Sequence, residues 1–270
     1  MRRPRRIRGK PADRVRLGRC RAAIGLIDLH CHILPALDDG ALDAADAVAM
    51  ARQAQADGIL TVCATPHVRH DHSVVIDDIA GRVAELNAQL ARAGVRTQVV
   101  PGAEVAETAL ADLDDDQLRA AALGGGGRWI LLEPAPGPLG DSLDAAVATL
   151  RRRGFGSVIA HPERHAHADV AAHLGRLIEL GALVQVTADM LEHEGAAPVI
   201  MSLARAGLVH LVGSDAHSSL AGRPVRLSGG LAALRAGGMP ADHVDWIARS
   251  APEAIVAGRE VSPPFEATPR

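Results

Sequence analysis

The chain of 270 residues has no tyrosine and only two phenylalanines and two tryptophans, which excludes a core assembled from aromatic side chains. Because 48% of its residues are nevertheless hydrophobic, that core must be built from Ala, Val, Leu and Ile. Such side chains suit buried parallel strands and close helix packing. Cysteine is scarce as well. Cys20, Cys31 and Cys63 make an odd count with no Cys-x-x-Cys pair, which excludes a disulfide scaffold and fits reduced thiols in a reducing compartment. No run approaches the ~18–20 apolar residues of a membrane span, and the amino-terminal stretch carries no apolar segment of the secretory kind. A cytoplasmic location is expected.

The formal charge of −3 conceals an asymmetry. Residues 1–23 hold ten Lys/Arg and one acidic residue, which leaves 19 basic and 31 acidic residues, a net of −12, in the rest. The first 23 residues read as a basic, disordered tail. An acidic body without a basic groove or stacking aromatics argues against a nucleic-acid partner.

Seven short apolar runs follow the tail: GLIDLH (25–30), ILTVCA (59–64), TQVVPG (97–102), WILLE (129–133), SVIAH (157–161), ALVQVT (182–187) and LVHLVG (208–213). Between them lie Ala-rich stretches with helical periodicity, such as 43–58 and 76–94, each stopped by a glycine. Alternating strands and helices imply a parallel sheet with right-handed crossovers, and seven such units favour a barrel over an open sheet. GGGGR (124–128) precedes a strand instead of opening a helix, so it reads as a flexible connection and not a phosphate loop. Residues 240–270 read as one or two terminal helices and a Pro-rich tail.

Polar residues stand at the carboxyl ends of six of the seven runs: His30, His32 and Asp39, then His67, Glu104, Glu133, His161 with Arg164, and Asp215 with His217. His30 and His32 are two apart, so on a strand both imidazoles face one side. Any one of these residues alone reads more readily as structural. Together, five histidines and four carboxylates on the face where α/β barrels place their active sites would be a costly cluster unless cations filled it. Nitrogen and oxygen donors without thiolate suit Mn²⁺, Fe²⁺ or Zn²⁺. Several such metals can activate water and stabilise both the attacking and the leaving oxygen of an in-line displacement at phosphorus. Arg164 and Arg223 match phosphate oxygens. The expected chemistry is therefore hydrolysis of a phosphomonoester. CATPHVR (63–69) also satisfies the Cys-x₅-Arg spacing of thiolate phosphatases. Pro66 removes an N–H from such a loop, no glycine permits its tight cradle, and His67 is required by the donor cluster.

HILPALDDG, CATPH, GAE, AHPERH, SDAH and GRP resemble the PHP (polymerase and histidinol phosphatase) superfamily. Within it they resemble the bacterial metal-dependent protein-tyrosine phosphatases of capsular and exopolysaccharide synthesis. The resemblance implies a distorted (β/α)₇ TIM-like barrel (the PHP fold) over residues 24–258, with 259–270 as a carboxyl-terminal tail. It implies three divalent metals, often Mn²⁺. His30, His32, Glu104 and Asp215 would hold the first, Glu104, Glu133 and His161 the second, and Asp39, His67 and His217 the third. Arg164 and Arg223 would contact phosphate. The implied substrate is phosphotyrosine in the tail of a bacterial tyrosine autokinase. Three positions depart from the family pattern: Cys31 replaces a serine, His165 a tyrosine, and QVTADMLEH (185–193) a QIN segment. Cys31 should face away from the metals, whereas the other two changes fall on the expected substrate wall. A histidinol phosphatase shares the same metal chemistry. A metal-binding regulatory module without turnover is disfavoured by the full donor set.

Overall fold

A computed structural model describes residues 25–165 and 169–267. The basic tail and Cys20 lie outside those residues. Each of the seven apolar runs carries a strand: β1 (Leu26–Cys31), β2 (Ile59–Ala64), β3 (His67–Val68), β4 (Gln98–Val100), β5 (Glu104–Ala106), β6 (Trp129–Glu133), β7 (Gly156–Ala160), β8 (Leu183–Thr187) and β9 (Leu211–Gly213). The count is nine because two strands are interrupted. Pro66, with no N–H for a ladder, separates β2 from β3, and Pro101–Gly102 separates β4 from β5.

All pairings are parallel. One sheet has the order β1-β2-β4 and the other β3-β5-β6-β7-β8-β9. The interrupted strands join them, and β1 meets the end of β9 through a parallel bridge between Cys31 and Ala216. Asp215 N donates to His30 O and His32 N to Ala216 O, at 2.8 and 2.9 Å. The strands thus follow one another around a barrel whose last seam is short.

Helices α1 (Ala44–Ala56), α2 (Ile79–Arg92), α3 (Asp115–Ala121), α4 (Asp141–Arg152), α5 (Val170–Glu179), α6 (Ala197–Arg205), α7 (Ser228–Ala236), α8 (Ala241–Asp245) and α9 (Ala251–Val256), with five short 3-10 segments and a π turn (Trp246–Ser250), complete the described elements. The two helices read from periodicity are α1 and α2. Asp43 caps α1 by accepting from Asp46 N, and α2 buries Ile79, Val83, Leu86 and Leu90 at spacings of three and four.

The main core lies between strands and helices and is aliphatic, as the composition requires. A second cluster includes Trp129, Leu131, Val158, Leu183 and Leu211 with Ala251 and Ile255 of α9. Leu131 shares a face of β6 with Glu133, and Leu183 a face of β8 with Gln185. This apolar layer therefore underlies the polar carboxyl end.

One connection differs from the sequence reading. The glycine run is a packed turn, not a loose connection: Gly124 has φ +72°, and a Cβ there would lie 2.6 Å from Val256 Cα. The Pro-rich tail is also packed as far as it is described. Trp129 Nε1 donates to Arg259 O at 2.8 Å, and Phe265 stacks on His210 at 5.9 Å.

Candidate metal centre

The strand ladders place the donors. His67 and Glu104 are register partners between β3 and β5, and Ala106 and Glu133 between β5 and β6. His30 ends the buried face of β1. His161 and Asp215 stand just past β7 and β9 in the left-handed region, at φ +33° and +50°. Backbone strain of that kind in residues other than glycine is sustained only where surrounding contacts enforce it, and it concentrates at functional sites.

All nine sequence-predicted donors come together. Glu104 is at the middle: its Oε2 lies 3.2 Å from His30 Nε2, 3.3 Å from His32 Nε2 and 3.1 Å from His67 Nδ1. Its Oε1 lies 2.9 Å from His161 Nε2. Asp215 Oδ1 is 3.4 Å from His30 Nε2, and Asp39 Oδ1 is 3.4 Å from His67 Nε2 and 3.5 Å from His217 Nε2. Four groups have donor atoms within 4.8 Å of one another: His32–Asp39–His67–His217, His30–His32–Glu104, His30–His161–Asp215 and His67–Glu104–Glu133. The division implied by family resemblance puts Glu133 with His161. Here Glu133 groups with His67 and Glu104, and His161, while contacting Glu104, also groups with His30 and Asp215.

The donors fit divalent cations on an observation independent of that division. His67 Nδ1, His161 Nδ1 and Glu104 Oε2 are buried and have no hydrogen-bond partner. Buried polar atoms are normally satisfied, and His67 Nδ1 and Glu104 Oε2, 3.1 Å apart at the centre of the lone-pair donors, are accounted for by cations. Electrostatics agree. Burial opposes charge on His32, yet the carboxylates of Asp38 and Glu104 push it up to about 10. Burial would raise Glu104, but His30 and the neighbouring imidazoles hold it well below the usual carboxylate range. The cluster thus demands positive charge, from protons or from metals. Burial and the nearby His32 push His217 down to about 4, leaving its ring a neutral donor.

Three residues that orient this set have no role in the sequence reading. Gln185 Oε1 accepts from His30 Nδ1 at 2.8 Å, and Asp38 Oδ2 from His32 Nδ1 at 2.8 Å, so both rings present Nε2 to the centre. Asp28 accepts from Ser214 N at 3.0 Å and from Ser214 Oγ at 2.5 Å, tying β1 to the Asp215 loop. Strand parity is the available signal for Asp28, which is two residues before His30. For Gln185 there is only its place at the inward end of a strand. Within the QVTADMLEH segment, Gln185 therefore supports the donors, while Glu192 and His193 at its far end are exposed. His165, the other wall position, is buried and donates from Nδ1 to Gly137 O at 2.6 Å. Cys31 is buried and lies 3.7 Å from Ala216 O, turned from the donors.

Both arginines reach the site. Arg164 Nη2 contacts Asp215 Oδ2, and Arg223 Nη2 lies 3.0 Å from the same oxygen, with Arg223 Nε donating to Asp215 O at 2.9 Å. Cys63 is fully buried, and burial pushes its thiol up to about 12. It donates to Pro101 O at 3.3 Å and accepts from Gly124 N at 3.4 Å, so it serves packing and not nucleophilic attack.

Fold and site together define a parallel α/β barrel with a candidate metal centre of histidines and carboxylates at its carboxyl rim. The family model described as "Capsular polysaccharide synthesis, CpsB/CapC" matches residues 26–257, and the chain belongs to that family. Tyrosine-protein phosphatase YwqE of Bacillus subtilis is 34% identical over 201 residues, which span 72% of this chain and 78% of that protein. The putative tyrosine-protein phosphatase CapC of Staphylococcus aureus is 26% identical over 211 residues, spanning 75% and 80%. Among solved structures, one from the work on YwqE of Bacillus subtilis and CpsB of Streptococcus pneumoniae, called unique metal-dependent tyrosine phosphatases, superposes with a TM-score of 0.76 at 29% identity. It covers 91% of this chain and 98% of its own. The phosphotriesterase homology protein of Escherichia coli, at 13% identity and a TM-score of 0.58 over 86% of this chain and 99% of its own, shares the fold.

Proposed function

We propose that this protein is a metal-dependent protein-tyrosine phosphatase acting on the phosphotyrosine-bearing tail of a bacterial tyrosine kinase that controls capsular or exopolysaccharide synthesis. The observation that carries the reading is the convergence of nine nitrogen and oxygen donors around Glu104, with two arginines at their edge. His30, His32, Asp39, His67, Glu104, Glu133, His161, Asp215 and His217 would hold three divalent cations, with Mn²⁺ the first choice. Such cations supply Lewis-acid stabilisation of phosphoryl oxygens and activation of water.

The chain's own residues do the rest. Arg164 and Arg223 are about one-third exposed at their side chains and rest on Asp215, with guanidinium donors available to the non-bridging oxygens of an incoming phosphoryl group. Gln185 and Asp38 hold the His30 and His32 rings so that neither must reorganise when substrate binds. A tyrosyl phenolate, with a pKa near 10, leaves without the full protonation an alkoxide needs. No dedicated general acid is therefore required. The kinase tail as substrate would place the enzyme in the cytoplasm, and no helix among the described residues is long and apolar enough to cross a membrane.

The test compares hydrolysis of a phosphotyrosine peptide and of histidinol phosphate by purified protein, before and after chelation and with Mn²⁺ restored. Peptide hydrolysis that is lost to chelator and regained with Mn²⁺ supports the reading. A preference for histidinol phosphate would move the same site to small-molecule metabolism, and activity indifferent to chelator would overturn it.

A further inference from the structure

A cavity of about 260 Å³ opens beside the donor cluster, and neither the donors nor the two phosphate-directed arginines explain it. Its wall includes Arg69, Ala106, Thr108, Glu133, Pro134 and Pro136, with Ala135 between the prolines. Glu133 also belongs to the group formed with His67 and Glu104, so a substrate whose phosphoryl group rests among the donors reaches the cavity within one side chain's length. The larger cavity, about 430 Å³, is lined by Arg128, Trp129 and Gly156 at the amino ends of β6 and β7, the opposite end of the strands, and cannot serve that substrate.

The lining matches one kind of occupant. His70 and Asp71 extend the polar part of the lining beside Arg69, while proline rings and alanine methyls present flat apolar surface, and a cavity of about 150 Å³ already accepts a benzene ring. Arg69 adds a fixed cation: Nε is 2.9 Å from Asp71 Oδ1, and Nη1 is 3.4 Å from Glu133 Oε1. A guanidinium beside an aromatic face adds cation–π attraction. The opposite wall is also fixed, because the chain after Pro136 is pinned by the hydrogen bond from His165 to Gly137 O. An alkyl group would gain less from such a slot than a planar ring.

We propose that the cavity between Arg69 and Pro134–Pro136 binds the aromatic ring of the substrate, so that aryl phosphomonoesters are selected over alkyl ones. This proposal deepens the phosphatase reading above and rests on it. The alternative rim is apolar too: Leu42 and Leu220 are exposed at 65% and 77% on loops whose backbones are held near Asp46. It carries no cavity among those described, so it serves as the control.

The experiment titrates metal-loaded protein with phenylphosphonate and with methylphosphonate, and measures kcat/KM on matched phosphotyrosine and phosphoserine peptides. Wild type should favour phenylphosphonate by about tenfold or more, the gain expected from burying a ring. Ala135→Phe, and separately Thr108→Leu at an exposed position should the first variant fold poorly, should bring that ratio near one while methylphosphonate affinity holds. An unchanged ratio in a folded slot-filling variant overturns the proposal, as does a ratio that collapses in Leu220→Ser instead. Wild-type turnover of phosphotyrosine with an unmoved ratio removes the slot and leaves the phosphatase. The expected ratio change without any turnover removes the phosphatase and leaves an aryl-anion slot.

Discussion

His67 and Glu104 face each other across the β3–β5 ladder, with His67 Nδ1 3.1 Å from Glu104 Oε2, and neither atom is in a hydrogen bond. A buried carboxylate oxygen ringed by three imidazole nitrogens without a proton-sharing geometry is the arrangement of a shared ligand. Glu104→Gln keeps the shape and removes the charge. The expected result is loss of at least part of the bound metal, by elemental analysis, and a fall in phosphatase activity of about two orders of magnitude or more. Full metal content in the variant would remove Glu104 from the ligand set.

The hydrogen bond from His30 to Gln185 supports a second prediction. Gln185→Leu leaves His30 Nδ1 buried without a partner and frees the ring to turn. Metal affinity should drop about 10–100-fold, the usual cost of removing a group that orients a ligand. Asp38→Asn should act on His32 in the same way. Gly213→Ala is a steric version of the same test, because its Cβ would lie 2.8 Å from both His30 Cβ and Gln185 Nε2. Normal metal titration curves in all three would show that the rings are held by packing alone.

The strands and first donors are legible in the sequence because they depend on local periodicity. Seven apolar runs bounded by glycine, proline or helix signals each carry a strand, and His30 and His32 announce themselves by their spacing of two. What is not legible depends on contacts distant in the chain. Gln185 is 155 residues from the ring it orients, and the alternation that buries it is shared by any parallel strand. Of the adjacent Asp38 and Asp39, one orients a histidine from beneath and the other faces two rings, a division that only the fold makes. The grouping of donors is equally hidden. Glu133 is brought to the His67–Glu104 pair by the β5 register, and His161 is held against Glu104, within reach of Asp215, by a backbone conformation that sequence does not announce.

Cys63 provides a negative control. Its spacing to Arg69 imitates a thiolate phosphatase, yet the thiol is fully buried and far from ionising at neutral pH. Cys63→Ser should retain most of the wild-type activity and stay insensitive to thiol alkylation. Stability should fall by about 1 kcal/mol or more, since a buried hydroxyl must meet the same two backbone partners with shorter bonds. Activity abolished in a folded, metal-loaded variant would count against a purely structural thiol.

Arg164 and Arg223 share the Asp215 carboxylate, but their roles separate by measurement. Arg164→Ala should lower kcat/KM by about 10²–10³-fold while bound metal is retained, because a guanidinium aimed at phosphoryl oxygens acts mainly as charge develops there. Arg223→Ala should do likewise with an added loosening of the Asp215 loop, whose backbone carbonyl it holds. Loss of metal in Arg164→Ala would make it a support for Asp215 and not a phosphate contact.

Acid stability should report on His210, a buried ring just before β9 that belongs to none of the donor groups. Its Nδ1 accepts from Val184 N at 3.1 Å, and it packs against Phe265 and Trp246. Burial pushes it down to about 4 from an ordinary value of 6.5. The unfolded chain therefore binds the proton more readily than the folded one, so stability is fully present above pH 6.5 and declines as the pH falls toward 4. Across that window the ring accounts for about 3 kcal/mol, because each tenfold difference in proton affinity between the folded and unfolded chain is worth about 1.4 kcal/mol. His210→Asn keeps an acceptor for Val184 N and removes the titration. Urea unfolding of both proteins, with equal metal loading, between about pH 7.5 and 4.5 should show the variant losing less stability, by up to one proton's worth of slope. The shared dependence of the metal donors cancels in that difference, so parallel curves would mean that His210 is solvated or already paired in the folded state.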